Sequence, residues 1–332
     1  MGSIFGTGCL IFRCVVVILS LYYSFSVRVS PALNIEKETD MTILITGATG
    51  TIGTSLVQQL ESHHVAVNAL TRDPSKAKFP DGVTAVAGDM LDVESMRKAL
   101  QGVSTLFLLN AVSSQELTEA VLTLNLARQS GIERVVYFSV FNGEKFSNVP
   151  HFTTKYAVER MIFELGIPAT ILRPNCFMQN DALYFKDALM GPGLYPFPIG
   201  EKGVSMVDVR DIGAIAAQAV LNLERASQVL PNEIINLVGP DALTGPGIAK
   251  IWAAVLNKQV TYTGSDTAPF EARLAHHAPS WMAMDMRLML DRFCSDGMAA
   301  TSVDVAKMTE LLGRSPRSYA DFAAEIEAQW EA

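Results

Sequence analysis

The sequence predicts an α/β fold, a doubly wound parallel sheet with helices on both faces, continued by a small C-terminal α/β lobe. Three observations carry that expectation. The run Thr42–Thr46 is short and rich in β-branched residues, the signature of a strand buried on both faces. Similar apolar runs recur down the chain and alternate with segments of helical period, the pattern of βαβ units with right-handed crossovers. The first run leads directly into Gly47, Gly50 and Gly53, after which Ile52, Leu56 and Leu60 keep helical spacing. Strand, glycine turn and helix together define a Rossmann-type start.

That start has a chemical meaning. It aims unpaired backbone N–H groups and the positive end of a helix dipole at one point, where an anion is stabilised. Gly47 allows a tight turn, Gly50 lets the backbone approach a diphosphate, and Gly53 lets the helix pack close to the strand. Thr49, Thr51 and Ile52 fill the same turn and join the candidate phosphate-binding set. The spacing is GxxGxxG rather than GxGxxG.

The whole chain bounds the function. Its 332 residues suffice for one large α/β domain with an added lobe. A hydrophobic fraction of 49% against 18% charged residues describes a packed globular protein. The net charge of −8 offers no footprint for nucleic acid, so no direct role on DNA or RNA is expected. Cys176 and Cys294, isolated in the body of the chain, make neither a disulfide framework nor a metal site. A reducing, cytoplasmic compartment fits.

Residues 1–40 look foreign to the rest. Val15–Val27 is almost wholly apolar, yet short for a membrane span, and Arg13 interrupts its extension. It lacks a clean small-x-small cleavage site, and Met41 immediately precedes the first strand. The expectation is an extension outside the fold, from a start codon placed too early. The alternative is a membrane anchor through residues 9–27.

Along the chain, Val65–Leu70 reads as the second strand and runs into Thr71-Arg72-Asp73-Pro74-Ser75-Lys76. At this point in dinucleotide folds an acid bonds the 2′-hydroxyl of NAD, whereas a cation accepts the 2′-phosphate of NADP. Arg72, with Lys76 a helical turn beyond, points to NADP(H) over NAD(H). Val83–Asp89 is the third strand, with Asp89 and Met90 placed to flank an adenine. Asp92 caps the next helix. Thr105–Leu109 is the fourth strand, ending in Asn110 near a nicotinamide ribose. Ser113-Ser114 opens a long helix, and Arg134–Ser139 is the fifth strand. A helix from His151 to about Leu165 puts His151 and Lys155 on one face. The strand Ala169–Leu172 follows. Ser205–Val209 is expected as a further strand, Asp211 as the start of the next helix, and Ile234–Leu237 as a return to the sheet.

These pieces resemble the NmrA-like family of atypical short-chain dehydrogenase/reductases. The likeness is carried by the Gly47-to-Gly53 fingerprint, Arg72 in Thr-Arg-Asp-Pro-Ser-Lys-Ala, Asp89, Ser139, Lys155 with Glu159, and Leu172-Arg173-Pro174. Val207-Asp208-Val209-Arg210-Asp211-Ile212 and Gly313–Tyr319 match as well. The resemblance implies residues 41–175 as the NAD(P)-binding domain, its sheet completed by 205–237, with 176–204 and 238–332 as a substrate lobe. It also implies two functions: an NAD(P)H-dependent reductase of quinones or azo compounds, or a redox sensor that binds NADP(H) and acts through a protein partner. A homodimer is the candidate assembly.

The chain departs from the wider superfamily at one place. Typical members carry Tyr-x-x-x-Lys; here Lys155 is kept and His151 occupies the tyrosine's position. Tyr156 lies about 100° away around the helix. His151 is read either as a proton donor or as a helix-start residue lining the pocket. Lys155 is read as a ribose ligand, or else as the partner of Glu159 in a surface pair. Ser139, at a strand end, is the second candidate catalytic residue, able to hydrogen-bond a substrate carbonyl. The aromatic, turn-rich segment from Phe177 to Pro198 and the methionines from Met282 to Met289 are candidates for the wall of an apolar pocket. His276-His277 lacks the partners of a metal site, and no metal is expected.

Overall fold

A computed structural model describes residues 42–331 with the exception of His64. The expected extension or anchor at residues 1–40 lies outside the described residues. Among those described, no helix is long and apolar enough to cross a membrane.

The core is a seven-stranded sheet in the order β3-β2-β1-β4-β5-β6-β8, parallel throughout. The strands are β1 (Thr42–Ile45), β2 (Ala66–Thr71), β3 (Val83–Ala87), β4 (Thr105–Leu108), β5 (Arg134–Phe138), β6 (Ala169–Pro174) and β8 (Glu233–Leu237). In β1, Ile43 and Ile45 bury into one face while Leu44 buries into the other, as the two-residue repeat of a strand requires. On the first face lie α1 (Thr51–Glu61) and α7 (Val209–Arg225), with Leu56, Leu60, Ile212 and Ala216 buried together. On the second lie α2 (Val93–Ala99), α3 (Glu116–Gln129) and much of α4 (Pro150–Glu164), through Met96, Leu124, Val158 and Ile162.

Strand order reverses between β1 and β4, which opens a crevice at their carboxyl ends, the place where such sheets bind ligands. Thr46 ties the two ends together. Its Oγ1 donates to the Leu109 carbonyl at 2.8 Å and accepts from the Leu109 N–H at 2.8 Å.

The C-terminal part carries a two-stranded parallel ribbon of β7 (Leu194–Tyr195) and β9 (Thr261–Tyr262). Around it are α5 (Gln179–Tyr184), α6 (Lys186–Met190), α8 (Gly245–Val255), α9 (Ala268–Leu274), α10 (Ser280–Ser295), α11 (Ser302–Leu312) and α12 (Tyr319–Glu331).

Two expectations are corrected here. Ser205–Val209 is not a strand; Val207 makes only an isolated bridge to Phe177. Asp208 leaves the ladder because its carboxylate accepts from the Arg210 N–H at 2.8 Å and caps α7. The helix therefore starts at Val209, ahead of Asp211. Asp211 is fully buried and holds the Arg314–Arg317 segment instead, accepting from Arg314 at 2.6 Å, from the Arg317 N–H at 2.8 Å and from the Arg317 guanidinium.

Candidate active site

The crevice is one end of a cavity of about 1000 Å³. At this end the lining is backbone. Gly47 has φ +64°, and a Cβ there would fall 2.1 Å from Leu109 Cδ2. Gly50 is the N-cap of α1 and offers no side-chain cap, while the first turn carries no acidic residue. The leading N–H groups of α1 are thus left for an anion. A Cβ on Gly53 would stand 2.3 Å from the Gly47 carbonyl oxygen and 2.6 Å from Ala48 Cα, so only glycine lets the helix sit under the turn. Gly47, Thr49, Gly50, Thr51 and Ile52 line the cavity; Gly53 is buried beneath it. This cradle fits a diphosphate.

Arg72, Lys76, Asp89 and Met90 line the same cavity past the ends of β2 and β3. Asp73 is occupied locally: it accepts from Ser75 Oγ at 2.6 Å and pairs with Lys76 at 2.9 Å, and these contacts hold its carboxyl below the usual range. Arg72 is exposed, and among the described residues no ion pair engages it. Asn110, at the end of β4, is buried. Its amide donates to Glu119 Oε2 at 3.3 Å, while its Oδ1 has no partner. A buried acceptor left open in a cavity wall calls for a donor on the ligand.

At the other end the lining is side chains held by remote partners. His151 and Lys155 are both buried on one face of α4. The Nδ1 of His151 lies 2.9 and 2.8 Å from the two carboxylate oxygens of Asp285, a buried residue of α10. Lys155 Nζ lies 2.7 Å from Glu116 Oε1 at the start of α3, where Glu116 is also buried. Burial pushes the Glu116 carboxyl up, against the pull of Lys155 and His151.

The alternative read for Lys155, a surface pair with Glu159, is not formed. Glu159 is buried and binds Arg173 through two bonds, 3.0 Å from Nε and 2.5 Å from the second terminal nitrogen. Its position four residues after Lys155 suits a surface ladder, but burial demands a permanent counter-ion, and the end of β6 supplies one. Ser139 Oγ donates its single hydrogen to Glu159. The serine therefore faces the cavity as an acceptor, and the carbonyl contact expected of it lacks a hydrogen.

Beyond these groups the wall is mainly apolar: Phe177, Phe197, Met286, Met289, Phe293 and Met298 line it, with Cys176, Asn175 and Asn180. Burial pushes the Cys176 thiol up to about 12, which keeps it a neutral packing group. Of the methionines expected over the pocket, Met286 and Met289 reach it. Of the aromatic segment, Tyr184 is 68% exposed, and Tyr195 is buried with its hydroxyl 2.9 Å from Asp181. Tyr156 does not line the cavity. Among the described residues no His, Cys, Asp and Glu cluster could hold a metal ion.

Sequence reasoning missed Glu116 and Asp285. Glu116 stands 39 positions before its partner and Asp285 134 positions after. Neither sits in a motif, and no local pattern pairs them with α4.

A family model described as the NmrA-like family matches residues 39–322. An NAD(P)H azoreductase of Xenophilus azovorans is 28% identical over 284 residues, covering 85% of this chain and 96% of that protein. An NADPH-dependent quinone oxidoreductase of Escherichia coli, solved with NADPH, superposes with a TM-score of 0.75 at 25% identity, covering 86% of this chain and 99% of its own. The negative transcriptional regulator NmrA, solved with NADP, shares the fold with a TM-score of 0.71 at 19% identity, over 89% of this chain and 97% of its own.

Proposed function

The chain belongs to the NmrA-like family, and on that premise we propose that it is an NADPH-dependent reductase of small, flat, apolar acceptors, quinones ahead of azo compounds. The observation that carries this reading is one continuous cavity, which runs from a phosphate cradle to a wall of phenylalanine and methionine side chains. The relatives support it: one is an NAD(P)H azoreductase and another a quinone oxidoreductase solved with NADPH.

The cofactor is NADP(H), and when bound it supplies a hydride. The cradle from Gly47 to Gly53 would hold its diphosphate, and Arg72, with Lys76, its 2′-phosphate. Asp89 and Met90 would flank the adenine. Lys155 keeps two of its three N–H donors after pairing with Glu116, enough for the ribose hydroxyls. Asn110 Oδ1 and Ser139 Oγ would accept from donors on the nicotinamide side. The apolar wall excludes water from the acceptor, and His151 delivers the proton that a reduced quinone or azo nitrogen needs.

Steady-state oxidation of NADPH against a panel of quinones and azo dyes tests the reading. Turnover with NADPH well above NADH is expected. Tight, NADP-selective binding with no turnover of any acceptor would sink it in favour of the sensor acting through a protein partner.

A further inference from the structure

The carboxylate of Asp285 comes from a different part of the molecule than the helix it serves. It is 1% exposed, both its oxygens lie within 2.9 Å of His151 Nδ1, and one lies 3.4 Å from the His151 backbone N–H. A carboxylate only accepts, so Nδ1 carries a hydrogen and Nε2 is the ring nitrogen left for the cavity that His151 lines. The next residue on the same helix, Met286, is part of the acceptor wall. One helix therefore shapes the acceptor site and fixes the ring beside it.

We propose that Asp285 is the positioning residue of an acid dyad, holding His151 so that Nε2–H protonates the acceptor. The proposal rests on the reductase reading above. Two-electron reduction of a quinone adds two hydrogens. NADPH supplies both electrons with one hydrogen, as hydride. The other arrives as a proton: the Nε2–H bond breaks, a quinone O–H bond forms, and His151 is left neutral until water returns the proton. The hydroquinone leaves as a neutral molecule.

The charged groups facing His151 come from three helices: Asp285 on α10, Glu116 on α3 and Lys155 on α4. With His151 protonated the four carry two positive and two negative charges, a balanced buried set; the positive end of α4 acts against the imidazolium. Asp285→Asn removes one negative charge and retains the shape.

The test uses the full chain. Nitrogen-15 NMR of histidine-labelled protein, with His151 assigned by His151→Gln, should show the Nδ1–H tautomer in the neutral ring. In Asp285→Asn the tautomer should become mixed. The kcat for quinone reduction should fall at least tenfold. The NADPH dissociation constant should stay within twofold, and Asp285→Glu should recover part of the loss. An Nε2–H tautomer in the wild type, or an Asp285→Asn protein with an unmixed tautomer and an unchanged kcat, overturns the dyad while leaving the reductase reading intact. A wild type that turns over no quinone overturns that reading and the proton-transfer step with it. The tautomer then still decides whether Asp285 positions the ring. If Asp285→Asn fails to fold, the wild-type tautomer alone upholds or overturns the dyad.

Discussion

The two ends of the cavity are built from different materials. The phosphate end is backbone from one contiguous stretch, Thr46 to Gly53, and its shape depends on side chains being absent. The proposed reaction end is side chain, drawn from α3, α4, α10 and the ends of β5 and β6, and its shape depends on buried charges finding remote partners. A backbone site is insensitive to pH and tolerates no added atom. A charged site tolerates shape changes and responds to pH. Each substitution below presses on one side of that contrast.

The largest effect on cofactor affinity belongs to Gly53→Val at the backbone end. Its Cβ would meet the Gly47 carbonyl at 2.3 Å, and backbone cannot rotate away as a side chain can. The turn must shift, and the cradle with it. Calorimetry should show NADPH affinity down by more than about a hundredfold, roughly 3 kcal/mol. Retained binding would mean that the anion is held by something other than these amides.

At the charged end, Lys155→Met strips Glu116 of its cation. Removing one member of a buried pair costs about 3–5 kcal/mol when the survivor stays ionised. The sign with pH follows from the raised carboxyl of Glu116. Its folded form holds a proton above the ordinary value of 4.5 while the unfolded chain has already lost it, so the carboxyl takes stability away as pH rises through that window. The loss in Lys155→Met should therefore be small near pH 4.5 and grow toward pH 8, read by urea denaturation at each pH. Gly53→Val should show no such slope. A pH-independent penalty in Lys155→Met would erase the distinction between the two ends.

The same contrast explains what was legible in the sequence. Strands buried on both faces are apolar runs, and the glycine turn follows the first of them, so the sheet and cradle could be read from consecutive residues. Ser205–Val209 misled because its apolar residues pack in a loop, while Asp208 turns away to cap a helix. His151, Lys155 and Ser139 were visible as residue types at meaningful spacings. Their working state was not: Asp285, Glu116 and Glu159 decide which hydrogens they hold, and those partnerships exist only after folding.

His151→Gln is a gentler probe of the charged end. The glutamine amide can still donate to Asp285, so the buried carboxylate keeps a partner, but it carries no transferable proton. Turnover of quinones should drop about a hundredfold, within the usual range for a lost general acid, with NADPH affinity unchanged. Equal turnover would place the proton source in water and reduce His151 to a wall residue.

Arg72→Ala has the smallest expected effect and sits between the two kinds of site, a side chain proposed to hold the cofactor. It is exposed, so its attraction to a 2′-phosphate is screened, and about 1.4 kcal/mol, or tenfold, is a fair expectation. Lys76 cannot fully substitute, because Asp73 holds it at 2.9 Å. The NADPH-to-NADH ratio of kcat/KM should fall about tenfold, with NADH itself unaffected, and the difference should shrink as salt is raised. A loss shared equally by both coenzymes would show that Arg72 supports the turn as a whole. The backbone cradle would then depend on a side chain after all.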